Sequence, residues 1–160
     1  MKELILVRHA TAAWGQASNS DFDRVLTAQG EEGARRVGAH LATLQPAPQL
    51  LVSSPARRAE QTAQAVFDAL ALSADHWRRE ERIYEAETRT LLSLCHSMDD
   101  AVDRIVWVGH NPGLHDLARL LSRQAPPGLP PGGVVHLCFE SDSWMSVDDD
   151  APVRTEFTRP

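Results

Sequence analysis

Leu4-Ile5-Leu6-Val7-Arg8-His9 is the stretch that decides the fold, because a continuous apolar run ends at once in two polar, chemically active side chains. An apolar run without alternation is typical of a strand buried on both faces, as in the parallel sheets of α/β proteins. In such sheets, ligands bind at the edge formed by the carboxyl ends of the strands. The sequence therefore predicts a buried first strand with Arg8 and His9 at its functional end.

Further apolar runs alternate with helical patterns along the chain. Strands are predicted at 50–53, around 82–85, at 105–110, at 134–139 and, as an edge strand, near 153–157. Helices are predicted from Thr27 to near Leu44, from Ser54-Pro55 to Leu70, from about Thr88 to His96, and from Asn111-Pro112 to Leu121. In two of these helices a polar residue followed by proline, Ser54 and Asn111, is predicted to be the N-cap. The alternation predicts one domain over residues 1–160, a three-layer α/β/α sandwich with a mostly parallel central sheet.

Composition narrows the class of protein. The chain has 160 residues, a formal net charge of −6 and 42% hydrophobic residues, so it can bury a core but lacks the overall basic character of proteins that bind nucleic acid or anionic membranes. Cys95 and Cys138 form no CxxC pair, and both lie in apolar runs, which predicts buried, reduced thiols. No stretch resembles a signal peptide or approaches the ~18 apolar residues of a membrane helix. We expect a cytoplasmic protein with neither nucleic acid nor membrane as a partner.

Cationic or titratable residues follow three of the predicted strands. Arg8 and His9 follow the first, an arginine at 57–58 lies one helical turn beyond the second, and His110 ends the strand at 105–110. Because the carboxyl ends of parallel strands meet at one edge, we expect these groups to converge. Arginine offers forked donors that match phosphate oxygens, and an imidazole can attack phosphorus. This set predicts phosphoryl-transfer chemistry at that edge of the sheet.

Motifs for other chemistries are missing from the sequence. It contains no GxxxxGK[ST], GxGxxG, HExxH or GxSxG pattern. His110 and His115 are five residues apart and do not share a helical face as a zinc pair would. We therefore expect neither a metal nor a cofactor.

Four segments, in order, resemble the histidine phosphatase superfamily. LVRHA at 6–10 resembles its RHG signature, and RVLT at 24–27 with Gly30 is similar to its RPLT-x-x-G segment. LVSSPARRAEQT at 51–62 and VGHNPGL at 108–114 resemble the second and third blocks of the small SixA-type phosphohistidine phosphatases. The resemblance implies the phosphoglycerate mutase-like fold and a phosphatase that needs no metal.

The resemblance also implies roles for individual residues. His9 would be the nucleophile that is transiently phosphorylated, Arg8 and Arg58 would hold the phosphoryl oxygens, and His110 would be the second histidine of the phosphate pocket. Arg58 is preferred to Arg57 because it directly precedes the Ala-Glu-Gln-Thr segment, as the arginine of the family does.

The general acid is open at this level. Larger relatives use a glutamate between the second and third blocks, and Glu85 occupies the comparable place, with Glu87 as a competitor. A phosphohistidine substrate needs less help from an acid, so a third alternative is that none is required.

The sequence departs from the family pattern at two positions. Ala10 replaces the usual glycine, and Val25 replaces proline, which leaves the role of Arg24 open. Trp14, in the loop after His9, is a candidate wall of the substrate mouth.

Substrate choice rests on the resemblance and on loop length. About 17 residues separate His9 from Thr27, so we expect a shallow pocket that accepts a phosphorylated protein, a histidine-containing phosphotransfer domain being one candidate. Phosphohistidine is the preferred substrate. The alternatives are small phosphate esters, such as sugar or nucleotide phosphates, and a phosphate- or phosphopeptide-binding module without turnover.

Overall fold

The computed structural model describes residues 1–14 and 20–160. Over these residues the chain forms a six-stranded sheet in the order β3-β2-β4-β1-β5-β6. The strands are β1 (Lys2–Arg8), β2 (Leu50–Ser53), β3 (Trp77–Arg79), β4 (Arg104–Gly109), β5 (Val134–Phe139) and β6 (Arg154–Thr158). The first four strands are parallel to one another, and β5 is antiparallel to both of its neighbours. The predicted mostly parallel sheet is confirmed.

Four α-helices cover the sheet on both sides. They are α1 (Ala28–Ala42), α2 (Arg57–Leu70), α3 (Thr88–His96) and α4 (Gly113–Leu121). Alternate residues of β1 point to opposite layers: Ile5 packs in the core beneath α1 and α2, whereas Leu6 packs in the core beneath α3 and α4. Both β1 and β4 are buried almost throughout, so their apolar runs need no alternation. The three-layer α/β/α sandwich is confirmed.

The prediction of a strand around 82–85 is wrong. The third strand is Trp77–Arg79, at the sheet edge, and Glu81–Ile83 is a 3-10 turn that follows it. An edge strand of three residues, two of them exposed arginines, carries no apolar run, so pattern reading placed it too late. The turn nevertheless buries Ile83 and delivers Tyr84 and Glu85 to the functional edge of the sheet.

Both cap predictions from proline pairs are also wrong, whereas the Thr27 cap is confirmed. The Thr27 hydroxyl accepts a hydrogen bond from the Gly30 N–H at the start of α1. By contrast α2 begins after Ala56, two residues later than a cap at Ser54 would require, and α4 begins after Pro112, one residue later than a cap at Asn111 would require. The Ser54 hydroxyl instead bonds the His110 ring, and Asn111 lines the cleft described below.

The loop predicted from Ala10 to about Asp23 includes residues 15–19, which lie outside the described part. On either side of that gap, Ala12 and Leu26 form an antiparallel bridge, and Asp21–Asp23 is a 3-10 turn. A Cβ on Gly30 would lie 1.9 Å from the Thr11 carbonyl oxygen, so only glycine allows α1 to pack this closely against the chain after His9.

The two cysteines are buried and free, as predicted. In the part of the chain that the structure describes, no helix is long and apolar enough to cross a membrane.

Candidate active site

A cleft of about 530 Å³ lies at the carboxyl edge of β1 and β4. It brings together four of the predicted site residues from three separate segments of the chain: Arg8, His9, Arg58 and His110. Its other walls are formed by Asp21, Arg24, Ile83, Tyr84, Glu85, Ala86, Asn111, Pro112 and Gly113. The convergence expected from strand order is therefore present.

The two ring nitrogens of His9 face different groups, Nδ1 the Ala10 carbonyl oxygen and Nε2 the Arg58 side chain. Its Nδ1 lies 2.7 Å from the carbonyl oxygen of Ala10, which can only accept, so Nδ1 carries the proton. The Arg58 Nε–H donates to His9 Nε2 at 3.3 Å, which agrees with a lone pair on Nε2. Burial lowers the pKa of His9 to about 4, and the charges of Arg58 and Arg8 act in the same direction. At neutral pH the imidazole is uncharged and Nε2 is the nucleophilic atom.

Arg58 is fixed by a carboxylate that the sequence analysis missed. Its Nη1 donates to the backbone oxygen of Asp21 at 2.7 Å and its Nη2 to Asp21 Oδ2 at 3.0 Å. Burial would raise the pKa of Asp21, but hydrogen bonds from Tyr84, Arg24 and Arg58 outweigh it and bring that pKa to about 2. Of the five N–H donors of a guanidinium, Arg58 uses three in these contacts and keeps two for an anion.

His110 faces His9 across the cleft, with ring centroids 5.3 Å apart. Its Nε2 lies 2.7 Å from the Ser54 hydroxyl oxygen, which also accepts from the Ala56 N–H. When the Ser54 hydroxyl donates to Nε2, the ring proton of neutral His110 lies on Nδ1. That nitrogen is buried and has no partner among the described residues. Burial lowers the pKa of His110 to about 3, so this ring is also neutral.

Arg8 is positioned by the proline-rich loop that precedes β5. Its Nη1 donates to the Leu129 carbonyl oxygen at 3.1 Å, and Asn111 Nδ2 donates to the same oxygen at 2.7 Å. Gly132, at φ +73°, turns its N–H to the backbone oxygens of Arg8 and His9. Burial lowers the pKa of Arg8, with the nearby charges of Arg58 and Arg24 adding to the effect.

Tyr84 is the second cleft residue that the sequence analysis missed. Its ring packs edge-on against His110 with centroids 5.4 Å apart, and its hydroxyl donates to Asp21 Oδ2 at 2.9 Å. Burial and the Asp21 carboxylate raise the pKa of Tyr84 to about 12, so the hydroxyl remains a donor. Asp21 and Tyr84 come from loop and turn segments whose spacing to the strands follows no motif.

The remaining predicted residues are distributed as follows. Glu85 is exposed and lines the cleft, with a left-handed backbone at φ +52°, whereas Glu87 lies outside the cleft wall as the N-cap of α3. Arg57 is exposed at the start of α2, as expected of the arginine that was not preferred. Arg24, whose role was open from the sequence, lines the cleft. Trp14 is 88% exposed and is not among the cleft-lining residues.

Among the described residues, one group has metal-ligating side chains close enough to share an ion: Glu3, His136 and Cys138. It lies at the amino end of β1, at the opposite edge of the sheet from the cleft, and Arg104 and Arg154 already donate to Glu3 and Cys138. Two guanidinium groups beside the donor atoms do not fit a cation site.

Two neutral imidazoles, two arginines and an accessible cleft are the groups that phosphoryl transfer through a nitrogen nucleophile requires. Comparison with known proteins agrees with this class. The sequence model of the histidine phosphatase superfamily (branch 1) matches residues 4–106. The chain belongs to this superfamily, and it is a phosphatase.

Its relatives and structural neighbours refine the placement. An uncharacterised chloroplastic protein of Arabidopsis thaliana is 31% identical over 131 residues, a match that covers 76% of this chain and 59% of that protein. An uncharacterised protein of Mycobacterium tuberculosis is 33% identical over 117 residues, covering 72% and 70%. The crystal structure of the putative phosphohistidine phosphatase SixA from Agrobacterium tumefaciens superposes with a TM-score of 0.80 at 28% identity, covering 99% of this chain and 98% of that one. The fold and the family place this chain in the SixA-type branch.

Proposed function

We propose that the protein removes the phosphoryl group from phosphohistidine in other proteins, through an intermediate phosphorylated on His9 Nε2. The observation that carries this proposal is the fixed tautomer of His9. The Ala10 carbonyl holds the proton on Nδ1, and the lone pair of Nε2, which accepts from the Arg58 Nε–H, lies in the same cleft as Arg8 and His110.

The first step transfers the phosphoryl group to the enzyme. His9 Nε2 forms a bond to phosphorus while the bond from phosphorus to the substrate nitrogen breaks. The leaving imidazole departs as a neutral group when its other ring nitrogen already carries a proton, and otherwise takes a proton from the protonated form of Glu85. Arg8 and the two unused donors of Arg58 stabilise the charge on the equatorial oxygens, and His110 Nδ1–H supplies a further hydrogen bond.

The second step releases inorganic phosphate. Water attacks the phosphorus of phospho-His9, the bond from phosphorus to Nε2 breaks, and the proton lost by water passes to the Glu85 carboxylate or to solvent. The proton of His9 stays on Nδ1 throughout, in its hydrogen bond to the Ala10 carbonyl oxygen. The ring therefore returns to its starting tautomer without rotating.

A phosphorylated imidazole suits this site because the site offers little acid catalysis. The carboxylates that line the cleft are Asp21 and Glu85. Hydrogen bonds hold the pKa of Asp21 at about 2, and Glu85 is exposed and makes no hydrogen bond within the described part. An alkoxide leaving group depends on protonation far more than a protonated imidazole does. The structural neighbour from Agrobacterium, described as a putative phosphohistidine phosphatase, supports the same substrate class.

Small phosphate esters are the second candidate. The cleft volume of about 530 Å³ is in the range of pockets that bind small molecules, so a sugar or nucleotide phosphate would fit. Glu85→Gln separates the two candidates. Turnover of an ester should fall about a hundredfold in this variant, and turnover of phosphohistidine much less, because general acid catalysis contributes in that range.

The direct test traps the intermediate. A histidine-containing phosphotransfer domain carrying ³²P-phosphohistidine is mixed with the enzyme, and the reaction is quenched in alkali. We expect label on the wild-type enzyme at His9, none on His9→Ala, and normal labelling of His115→Ala, because His115 lies outside the cleft wall and bonds the Pro126 carbonyl. Turnover without label on His9, or full turnover by His9→Ala, would contradict the proposal.

A further inference from the structure

Three exposed apolar side chains lie on two chain segments beside the cleft, and we call this set the aromatic rim: Trp14, Phe22 and Val25. They are 88%, 37% and 42% exposed, respectively. All three lie on the two short segments next to the cleft that pair through the Ala12–Leu26 bridge and the hydrogen bond from the Ala13 N–H to the Val25 oxygen. Exposed apolar groups scattered singly need no explanation, but a cluster at the mouth of a catalytic cleft does.

The two aromatic rings of the rim are held by cleft residues. The Arg24 guanidinium stacks on the Trp14 ring at 4.8 Å from its centroid, and Arg24 lines the cleft. Phe22 packs edge-on against Tyr84 at 5.3 Å, and Tyr84 in turn packs against His110. The rim is therefore continuous with the phosphate pocket, and its rings are oriented before any partner binds, which lowers the entropic cost of binding.

Exposed acidic groups accompany the rim. Asp23 follows Phe22 directly in the chain and Glu85 lies on the cleft wall, and both are exposed, whereas the Asp21 carboxylate is already paired with Arg24 and Arg58. A partner that covers this area must bring apolar contacts for the rings and basic groups for the carboxylates. Tryptophan at the centre of such a contact is the residue type that contributes most often to binding energy in protein interfaces.

We propose that the aromatic rim is the docking surface for the phosphorylated protein substrate. The partner is a folded protein whose phosphorylated side chain enters the cleft while neighbouring apolar and basic side chains cover Trp14, Phe22 and Val25. This proposal rests on the proposed function, since it assumes a protein substrate. It assigns recognition of that protein to residues outside the cleft, which a free phosphorylated amino acid would not reach.

The test compares hydrolysis of the same phosphorus–nitrogen bond in a phosphorylated protein and in free phosphohistidine. Steady-state kinetics are measured with a phosphorylated histidine-containing phosphotransfer domain and with free phosphohistidine, for wild type, Phe22→Ala and Val25→Asp. Val25→Asp leaves both stacked pairs intact, and Leu120→Ala is a matched control because Leu120 is 57% exposed but lies at the far end of α4. We expect KM for the phosphoprotein to rise about tenfold in each rim variant, kcat to stay unchanged, and KM for free phosphohistidine to stay within about twofold.

Unchanged KM for the phosphoprotein in both rim variants overturns the docking proposal alone, and so does an equal rise for both substrates, which would assign the rim to the cleft itself. If wild type hydrolyses free phosphohistidine but not the phosphoprotein, the protein substrate and the docking surface fall together. Gel filtration of the same variants addresses another occupant, since a wild-type dimer that dissociates on Val25→Asp would assign the rim to self-association and overturn docking.

Discussion

Two clusters of charged and polar residues lie at opposite ends of the same pair of strands, β1 and β4. At the amino end, Arg104 and His136 both bond the Glu3 carboxylate, at 2.7 Å and 2.5 Å. At the carboxyl end, within residues 1–14 and 20–160, the Arg8 side chain donates only to the Leu129 carbonyl, and no carboxylate lies between the two facing histidines. The first cluster balances its charges internally, whereas the second keeps an excess of positive charge and unused donors.

This difference separates a structural cluster from an anion-binding one. At the amino end the register places Arg104, Glu3 and Cys138 side by side on adjacent strands, so the polar side chains satisfy one another. At the carboxyl end the chain leaves the sheet after each strand, and the side chains are turned into a cleft. Burial lowers the pKa of His9 and keeps it neutral, whereas hydrogen bonds from Arg104 and His136 overcome the effect of burial on Glu3 and lower its pKa.

The largest expected effect is the loss of activity when the nucleophile is removed. His9→Ala should reduce kcat/KM for free phosphohistidine by at least about 10⁴-fold, since the remaining groups only bind the phosphoryl group. The free energy of unfolding should not fall by more than about 1 kcal/mol, because the ring makes few apolar contacts for the fold. The measurements are initial rates and urea unfolding. A variant that keeps a tenth of wild-type activity would contradict the assignment.

At the amino end of β1 we expect a substitution to lower stability and to leave activity unchanged. Glu3→Gln should lower the free energy of unfolding by about 2 kcal/mol, because Arg104 loses its charged partner, although Glu3 is not completely buried. Activity per folded molecule should be unchanged. Urea unfolding followed by tryptophan fluorescence gives the first quantity and kcat/KM the second. A drop in kcat/KM with unchanged stability would remove the distinction between the two clusters.

Asp21→Asn should have an intermediate, kinetic effect. The amide keeps the size of the side chain but loses the charge that holds the Arg58 guanidinium at 3.0 Å. We expect kcat/KM for free phosphohistidine to fall about tenfold, equivalent to ~1.4 kcal/mol. Asp23→Asn is the matched control, because Asp23 bonds the Ser20 hydroxyl and lies outside the cleft wall. Equal effects of the two substitutions would show that only the net charge of the loop matters.

The last expected effect concerns stability rather than activity and is a dependence of the free energy of unfolding on pH. The folded pKa values of His9 and His110, about 4 and about 3, lie below the unfolded value of about 6.5. Their contribution is therefore fully present above pH 6.5 and is lost as the pH falls toward 4, because the unfolded chain binds protons that the folded one excludes. Urea unfolding at pH 7, 6 and 5 should show this loss.

His9→Ala, which removes one of these groups, should show a flatter pH dependence than wild type. Identical slopes for the two proteins would mean that His9 does not resist protonation in the folded state.

Much of the cleft was predictable because its main residues directly follow or closely neighbour buried apolar runs. The run at 105–110 predicted both β4 and the position of His110, and Arg58 lies in the first turn of the helix after β2. Asp21 and Tyr84 were not predictable in the same way. They reach the cleft from a loop and from the turn after an edge strand, where no periodicity links sequence position to location.

Ser54 shows how tertiary structure overrides a local signal. Ser-Pro predicts an N-cap, yet α2 begins two residues later, and the hydroxyl bonds the ring of His110 on a different strand. The local preference amounts to about 1 kcal/mol. A buried imidazole nitrogen left without a partner would cost at least as much, so the long-range contact prevails.

The amino-acid sequence by itself determined the layers of this protein and the placement of its cations, since apolar periodicity and strand direction follow from local side-chain patterns. Tertiary structure alone decided which carboxylate orients Arg58, which carbonyls hold Arg8 and the His9 tautomer, and which aromatic rings stand around the cleft. These are contacts between segments distant along the chain, and their geometry exists only once the sheet and its loops have packed.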